Sequence, residues 1–282
     1  SYMKEYYRKA NIPTARYVVP HNVKTAIAFA ESVGFPVVVK PNMGVGAVNT
    51  FKLRNRTDII EYFDECPTYP LIMEEYIDGE ICSYDAIINS RGEPLFESGN
   101  ITPRSILDIV NKGDSAYYYI VKNLSEDIKE AGRRCVKSFH VRSRFIHLEF
   151  FRRKKNQKGV GKKGEIVGLE VNMRPPGGLT PDMLNYANST DVYEIWADMV
   201  AFDQTKKQAG NERYFCAYVG RRDSKDYVYS HTEVLSKYRA EIMLSDRMPD
   251  VLAPAMGNQM YLAKFKEKRD MSQFFAYVLT EL

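Results

Sequence analysis

Strands and helices alternate irregularly along this 282-residue chain, and the sequence predicts an α+β protein rather than a doubly wound βαβ fold. Three observations carry that prediction. Short apolar, β-branched runs such as Val37-Val38-Val39 and Phe145-Ile146-His147-Leu148 are bounded by Gly, Pro and polar residues. Helical periodicities fall between them at uneven intervals. No internal repeat or low-complexity tract is visible. At 44% hydrophobic residues the chain can bury a sizeable core, and at roughly 100–200 residues per domain its length suggests about two folding units. No apolar run approaches the roughly 20 residues of a membrane-spanning helix.

Residues 3–10 predict the end of a helix that stops before Asn11-Ile12-Pro13, followed by a short strand from Ala15 to Val19. Val23, Ile27, Ala30 and Val33 share one helical face; Asn22 can cap that helix, and Gly34 with Pro36 ends it. A strand from Pro36 to Lys40, the glycine-bearing Pro41-Asn42-Met43-Gly44-Val45-Gly46-Ala47 and a second strand from about Val48 to Leu53 come next. Asp58 to Phe63 reads as a helix. Strands at Leu71 to Ile77 and Ile81 to Asn89 precede a hairpin turn at Asn89-Ser90-Arg91-Gly92. Ser125 can cap a helix whose apolar face is Ile128, Ala131, Cys135, Val136 and Phe139. Strands are expected at Arg144 to Phe151 and Glu165 to Asn172, and helices at Pro181 to Ala187 and Val192 to Val200. The tail predicts strands at Tyr214 to Val219 and Tyr227 to Ser230 and a helix at Met271 to Leu279.

The formal charge of +4 is local. Arg152, Arg153, Lys154, Lys155, Lys158, Lys162 and Lys163 lie in one stretch without an acid, and without those seven cations the charge would be −3. This stretch is expected to be a solvated hairpin turn. It has no aromatic residue on which a base could stack, so no nucleic-acid partner is expected. The four cysteines (Cys66, Cys82, Cys135, Cys216) form no C-x-x-C pair, and the N-terminus has no signal-peptide stretch. Together they lead to the expectation of a cytoplasmic protein with reduced thiols and no membrane partner.

The strongest constellation of reactive side chains is the hairpin. Glu170 and Asn172 alternate onto one face of the returning strand, and Glu149 on the outgoing strand can sit across from them. Three hard oxygen donors on adjacent strands suit magnesium, which keeps water and phosphate ligands as well. The alternative is an ordinary amphipathic hairpin with a solvated acidic face. Asn172 runs into Met173-Arg174-Pro175-Pro176-Gly177-Gly178, a rigid turn that can aim Arg174 at a phosphoryl group or carboxylate. Lys40 ends a strand ahead of Gly44 and Gly46, a pattern that serves phosphate binding or simply makes a flexible turn. A P-loop is excluded, because Gly161-Lys162 is followed by Lys163 and Asn156 stands where the first glycine belongs. A protein-kinase arrangement is excluded too, since no HRD or DFG occurs.

In order, Lys40, the glycine loop, Met73-Glu74-Glu75-Tyr76-Ile77-Asp78-Gly79-Glu80, His147-Leu148-Glu149-Phe150 and Leu169-Glu170-Val171-Asn172-Met173-Arg174 resemble the ATP-grasp enzymes over about residues 1–200. The resemblance implies two α+β subdomains with antiparallel sheets gripping ATP, here 1–76 and 77–205, with 206–282 as a small β-containing extension completing the fold. It implies that Lys40 contacts the α/β-phosphates, that the loop with Gly44 and Gly46 closes over the β/γ-phosphates, and that the backbone of Glu74, Glu75, Tyr76 and Ile77 pairs with adenine, with Glu80 near the ribose. Glu149, Glu170 and Asn172 would hold two Mg2+ ions, with Mn2+ as a substitute, and Arg174 would stabilise the transferred phosphoryl group. His147 would be a partner of Glu149 or only a packed or hydrogen-bonded histidine. Members carry a further ATP-contacting lysine ahead of the first helix and a preceding domain, so the chain is expected to be a portion of a longer protein. The ribose glutamate of the family often stands two residues after the hinge glycine, whereas Glu80 follows Gly79 directly.

The activity implied is ATP-dependent joining of a carboxylate to an amine through an acyl phosphate, with small-molecule acid and amine as partners and a homodimer allowed. Two alternatives are a biotin carboxylase-like carboxylation and a nucleotide-binding module without turnover. The Pro-Pro-Gly-Gly turn after Arg174 differs from the biotin carboxylase pattern and favours the ligase. Arg104 and Arg144 are candidate carboxylate anchors.

Overall fold

The computed structural model describes residues 2–42, 49–65, 70–103, 114–207 and 209–282. The chain divides into two units, Ser1–Gly79 with Phe151–Leu169, and Glu80–Phe150 with Glu170–Leu282.

Unit 1 runs α1 (Tyr2–Lys9), β1 (Tyr17–Val18), α2 (Val23–Val33), β2 (Val37–Pro41), β3 (Phe51–Leu53), α3 (Arg56–Asp64) and β4 (Leu71–Glu75). The Asn22 and Asn55 side chains accept hydrogen bonds from the amides of Thr25 and Asp58, each at 2.9 Å, and so satisfy donors that a helix start leaves unpaired. Gly34 ends α2 at φ 88°, a conformation that favours glycine. The strands form an antiparallel sheet in the order β1-β4-β2-β3. Val37, Val39, Leu53, Leu71 and Met73 bury against Ala26, Ile27, Ala30, Ile59 and Tyr62 of the two helices. Strand alternation then sends Lys40 and Glu74 to the opposite face. The register, with Val38 opposite Glu74 and Lys40 opposite Ile72, makes them diagonal neighbours.

Two expectations are corrected in unit 1. The strand expected from Ala15 to Val19 is only Tyr17–Val18, because pairing with β4 covers just those two residues; Ala15 is buried in a cluster with Ile77, Val160 and Val167. The cationic stretch is not a wholly solvated turn. Val160 belongs to that same cluster, Arg153 is 2% exposed, and Lys155 pairs with Asp78 at 3.0 Å. One apolar residue among the lysines anchors the arm.

Unit 2 contains β5 (Gly79–Ile88), β6 (Pro94–Ser98), β7 (Asn100–Thr102), β8 (Ala116–Ile120), α4 (Glu126–Ser138), β9 (Arg144–Arg153), β10 (Ile166–Asn172), α5 (Thr180–Asn188) and α6 (Val192–Phe202), with the ends of β5, β9 and β10 crossing the unit boundary. The tail adds β11 (Phe215–Arg221), α7 (His231–Lys237), β12 (Ile242–Arg247), α8 (Ala253–Met256), β13 (Gln259–Phe265) and α9 (Lys268–Leu279). The sheet order is β10-β9-β5-β7-β8-β11-β13-β12, and β6 pairs with β5. On β11 the period of two is plain. Cys216 and Tyr218 bury with Met183, Leu184 and Ile195 of α5 and α6, whereas Ala217 and Val219 bury with Val234, Phe274 and Val278 of α7 and α9.

Under β5, helix α4 comes so close that a Cβ on Gly132 would stand 2.2 Å from the Tyr84 ring, which is why this position has no side chain. The strand expected at Tyr227 to Ser230 is absent: Tyr227 makes one isolated bridge to Glu281, and Ser230 instead opens α7 in a capping box with Glu233. Among the described residues no helix is long and apolar enough to cross a membrane.

Candidate functional site

In unit 1 the predicted Lys40 belongs to a buried ionic cluster. Its Nζ lies 2.7 Å from Glu74 Oε2, and the Nζ of Lys4, on α1, lies 2.6 Å from Glu74 Oε1. The side chains are 6% (Lys4), 9% (Glu74) and 22% (Lys40) exposed, so the cluster opens to solvent at Lys40. Burial pushes the Glu74 carboxyl up, but Lys40 and Lys4 together outweigh it and the net shift is downward. For Lys4 burial is the larger influence, and its ammonium is lowered despite Glu74.

Glu75 is also committed. Arg16 donates to it through its amide at 2.7 Å, Nε at 3.0 Å and Nη2 at 2.8 Å, and Gln157 Nε2 donates to it at 3.2 Å. The same Gln157 Nε2 donates to the Tyr76 carbonyl at 3.1 Å, and Lys52 Nζ sits 3.7 Å from the Tyr76 ring centroid. Ile77 is buried. The side chains of Glu74 and Glu75 are thus taken up by ion pairs and hydrogen bonds, and the Glu75 amide donates to the Arg16 carbonyl at 3.0 Å. Gly44, Gly46 and Arg104 lie outside the described residues.

In unit 2 the predicted Glu149 stands on β9, and Glu170 and Asn172 on the neighbouring β10; all three are half-buried. Behind Glu149 is a second ionic cluster. His147 Nε2 lies 3.6 Å from Glu149 Oε1, and His147 Nδ1–H donates to Asp85 Oδ1 at 2.6 Å. Asp85, fully buried, also accepts from Ser83 Oγ, and Ser83 Oγ in turn accepts from the Asn100 amide at 2.8 Å. Burial opposes charge on His147, but Asp85 first and then Glu149 outweigh it and push the imidazole up to about 10, so it is cationic at neutral pH. The histidine is thus hydrogen-bonded to Asp85 and within ion-pair reach of Glu149.

The remaining predicted residues are more dispersed. Glu80 has the strand parity of Cys82 and Tyr84, the α4 side of β5, and raises the Tyr119 hydroxyl after burial has done most of that work. It stands on the face away from Asp85. Arg174 is exposed, and its Nη1 donates to the Pro175 carbonyl at 2.7 Å. Arg144 is exposed. Among the described residues no three His, Cys, Asp or Glu side chains converge on a point that would hold a metal. The donor set is instead two carboxylates and the Asn172 carboxamide, hard oxygens that fit magnesium sharing its shell with phosphate and water rather than a closed protein cage.

Sequence reasoning missed Lys4, Arg16, Ser83 and Asp85. Ser83 and Asp85 alternate on one face of a strand otherwise rich in Ile, a polar pair where apolar residues were expected, and that was the available signal.

A profile of the family described as carbamoyl-phosphate synthase L chain, ATP binding domain, matches residues 1–69. The carbamoyl phosphate synthase large chain of Thermoanaerobacter pseudethanolicus is 27% identical over 208 residues, which is 71% of this chain and 18% of that relative. The chain thus spans under a fifth of the length of the curated relative it matches. Among solved structures, the L-amino acid ligase from Bacillus licheniformis superimposes with a TM-score of 0.69 at 15% identity, over 99% of this chain and 70% of that one. The biotin carboxylase domain of the Hydrogenobacter thermophilus 2-oxoglutarate carboxylase, in complex with MgADP, ADP and bicarbonate, gives a TM-score of 0.67 at 12% identity, over 99% of this chain and 64% of that one. At these identities the likeness is one of fold.

Proposed function

We propose that this chain, whose fold is the ATP-grasp fold, carries the nucleotide- and metal-binding residues of an ATP-dependent ligase that phosphorylates a substrate carboxylate and joins it to an amine. The observation that supports the reading most is the donor set of Glu149, Glu170 and Asn172 on neighbouring strands, with Glu149 backed by the Asp85–His147 pair and Arg174 two residues beyond Asn172.

The reaction has two steps. A carboxylate oxygen of the acid attacks the γ-phosphorus, the bond to the β-phosphate oxygen breaks, and ADP leaves. The amine nitrogen then attacks the carbonyl carbon of the acyl phosphate, loses a proton, and phosphate leaves. The substrates bring both reacting groups, so the protein supplies alignment and charge rather than a nucleophile. Lys40 offers its ammonium to the phosphates of the nucleotide, and the hinge backbone from Glu74 to Ile77 recognises the base. Arg174 leaves its contact with Pro175 to meet the charge that develops on the transferred group. Glu149, Glu170 and Asn172 would hold two magnesium ions, for which manganese could substitute. Bound there, magnesium would supply Lewis-acid stabilisation of phosphate charge.

The test is a screen of acids and amines on the full-length protein with ATP, with bicarbonate among the acids because the biotin carboxylase neighbour was solved with it. ADP release is expected only with an acid and an amine together, and hydroxylamine in place of the amine should yield a hydroxamate. Tight ATP binding with no ADP release across a broad screen would remove the ligase reading.

A further inference from the structure

The cluster of Lys4, Glu74 and Lys40 holds one anion and two cations, and its formal charge is +1. Glu74 divides its two oxygens between the ammonium groups, at 2.6 Å to Lys4 and 2.7 Å to Lys40. The other carboxylate nearby, Glu75, is already matched by Arg16 at 2.8 Å. Lys4 is the inner cation: it is 6% exposed, it also donates to the Ala15 carbonyl at 3.0 Å, and it lies 5.0 Å from the Tyr17 ring centroid. Lys40 is the outer one. If Lys4 were uncharged, Glu74 and Lys40 would neutralise each other, and an anion approaching Lys40 would meet a carboxylate at contact distance behind it.

We infer that Lys4 is a positioning residue for nucleotide binding: it offsets Glu74 so that the charge of Lys40 is available to phosphate. The inference rests on the reading of Lys40 as a phosphate-binding residue. Lys4 would act through Glu74 and Lys40 rather than by contact with the nucleotide. It lets Glu74 fix the Lys40 side chain, by a short ion pair, without cancelling its charge. Two roles that conflict in a simple Lys–Glu pair, orientation and availability of charge, become compatible when a second buried cation is added.

The experiment is a set of ATP and ADP dissociation constants, measured without turnover, on the full-length protein and its variants. Lys4→Gln keeps hydrogen-bond donors for Glu74 and the Ala15 carbonyl but removes the charge; it should weaken ATP on the order of tenfold. Lys4→Arg, which keeps the charge, should stay within about threefold of the parent. Lys4→Gln/Glu74→Gln removes the uncompensated carboxylate as well and should bind ATP several-fold tighter than Lys4→Gln alone. A role confined to anchoring α1 would give no such recovery, because the second substitution only removes a further contact. Parent-like binding by Lys4→Gln, or equal weakness of the single and double variants, overturns the inference while leaving Lys40 as it is. Parent-like binding by Lys40→Met overturns the reading of Lys40 and the inference with it. Should Lys4→Gln fail to fold, as judged by circular dichroism, the double variant is compared with Lys40→Met: tighter binding by the double variant is required, and equal weakness contradicts the inference.

Discussion

In unit 1 a carboxylate, Glu74, is held between two cations, Lys4 and Lys40; in unit 2 a cationic histidine, His147, is held between two carboxylates, Asp85 and Glu149. Each cluster buries its first two members and brings its third toward solvent, Lys40 in one case and Glu149 in the other. The formal charge is +1 in the first and −1 in the second. A central ion of opposite sign fixes the outer group in place, and the innermost ion preserves the charge that the central one would otherwise cancel. In the ligase reading the two outer ends suit different ligands, an anion such as phosphate at Lys40 and a divalent cation at Glu149.

The largest effect of a substitution is expected in unit 2. Asp85→Ala leaves a buried cationic imidazole without its partner and should cost about 3–5 kcal/mol in a urea unfolding experiment. A loss under 1 kcal/mol would mean that the histidine is neutral or the pair is not buried. Glu74→Gln should cost less, about 2 kcal/mol, because the carboxamide oxygen and the Ala15 carbonyl still accept from Lys4 and Lys40 can turn to water. Its pH dependence has a definite sign. The folded-state pKa of Glu74 is depressed, so its contribution is present above the ordinary glutamate value of about 4.3 and is lost as pH falls through the lower folded value. The parent should therefore lose stability below about pH 4 more steeply than Glu74→Gln does.

Two further substitutions separate stability from chemistry. Gly132→Ala should lower stability by about 1–2 kcal/mol, since the new Cβ would overlap the Tyr84 ring on the side of the sheet away from Asp85, and metal affinity should not change. Arg174→Ala, at an exposed position, should leave stability within about 0.5 kcal/mol in thermal unfolding. In the ligase reading it should still lower turnover by about a hundredfold.

Much of this was legible in the sequence, and what was not has physical causes. Asn22, Gly34 and the alternating Val37 to Lys40 carry their own local signals, so α2 and β2 emerge where periodicity and caps place them. The placing of Glu149, Glu170 and Asn172 on two neighbouring strands was legible because the strand period shows there in the sequence. The innermost ions were not. Lys4 lies on a short helix with tyrosines and charged residues on several sides, and nothing local says that it will be buried. Asp85 looks like a stray acid in an apolar strand until the neighbouring strand brings His147 to it. Helix α7 could have been found, for Ser230-His231-Thr232-Glu233 is a capping-box signature, but the aromatic Tyr227-Val228-Tyr229 before it read as a strand. Long-range pairing decides such cases, and local pattern does not contain it.

The most direct test of the opposite-sign account is the affinity of the full-length protein for ATP with and without Mg2+, compared among the parent, Lys40→Met and Glu149→Gln. Lys40→Met should weaken ATP in both conditions, because its partner is the phosphate itself. Glu149→Gln should leave metal-free binding unchanged and abolish most of the gain that Mg2+ brings. Equal losses by the two variants in both conditions, or a Mg2+ gain that survives in Glu149→Gln, would contradict the division of labour between the two clusters.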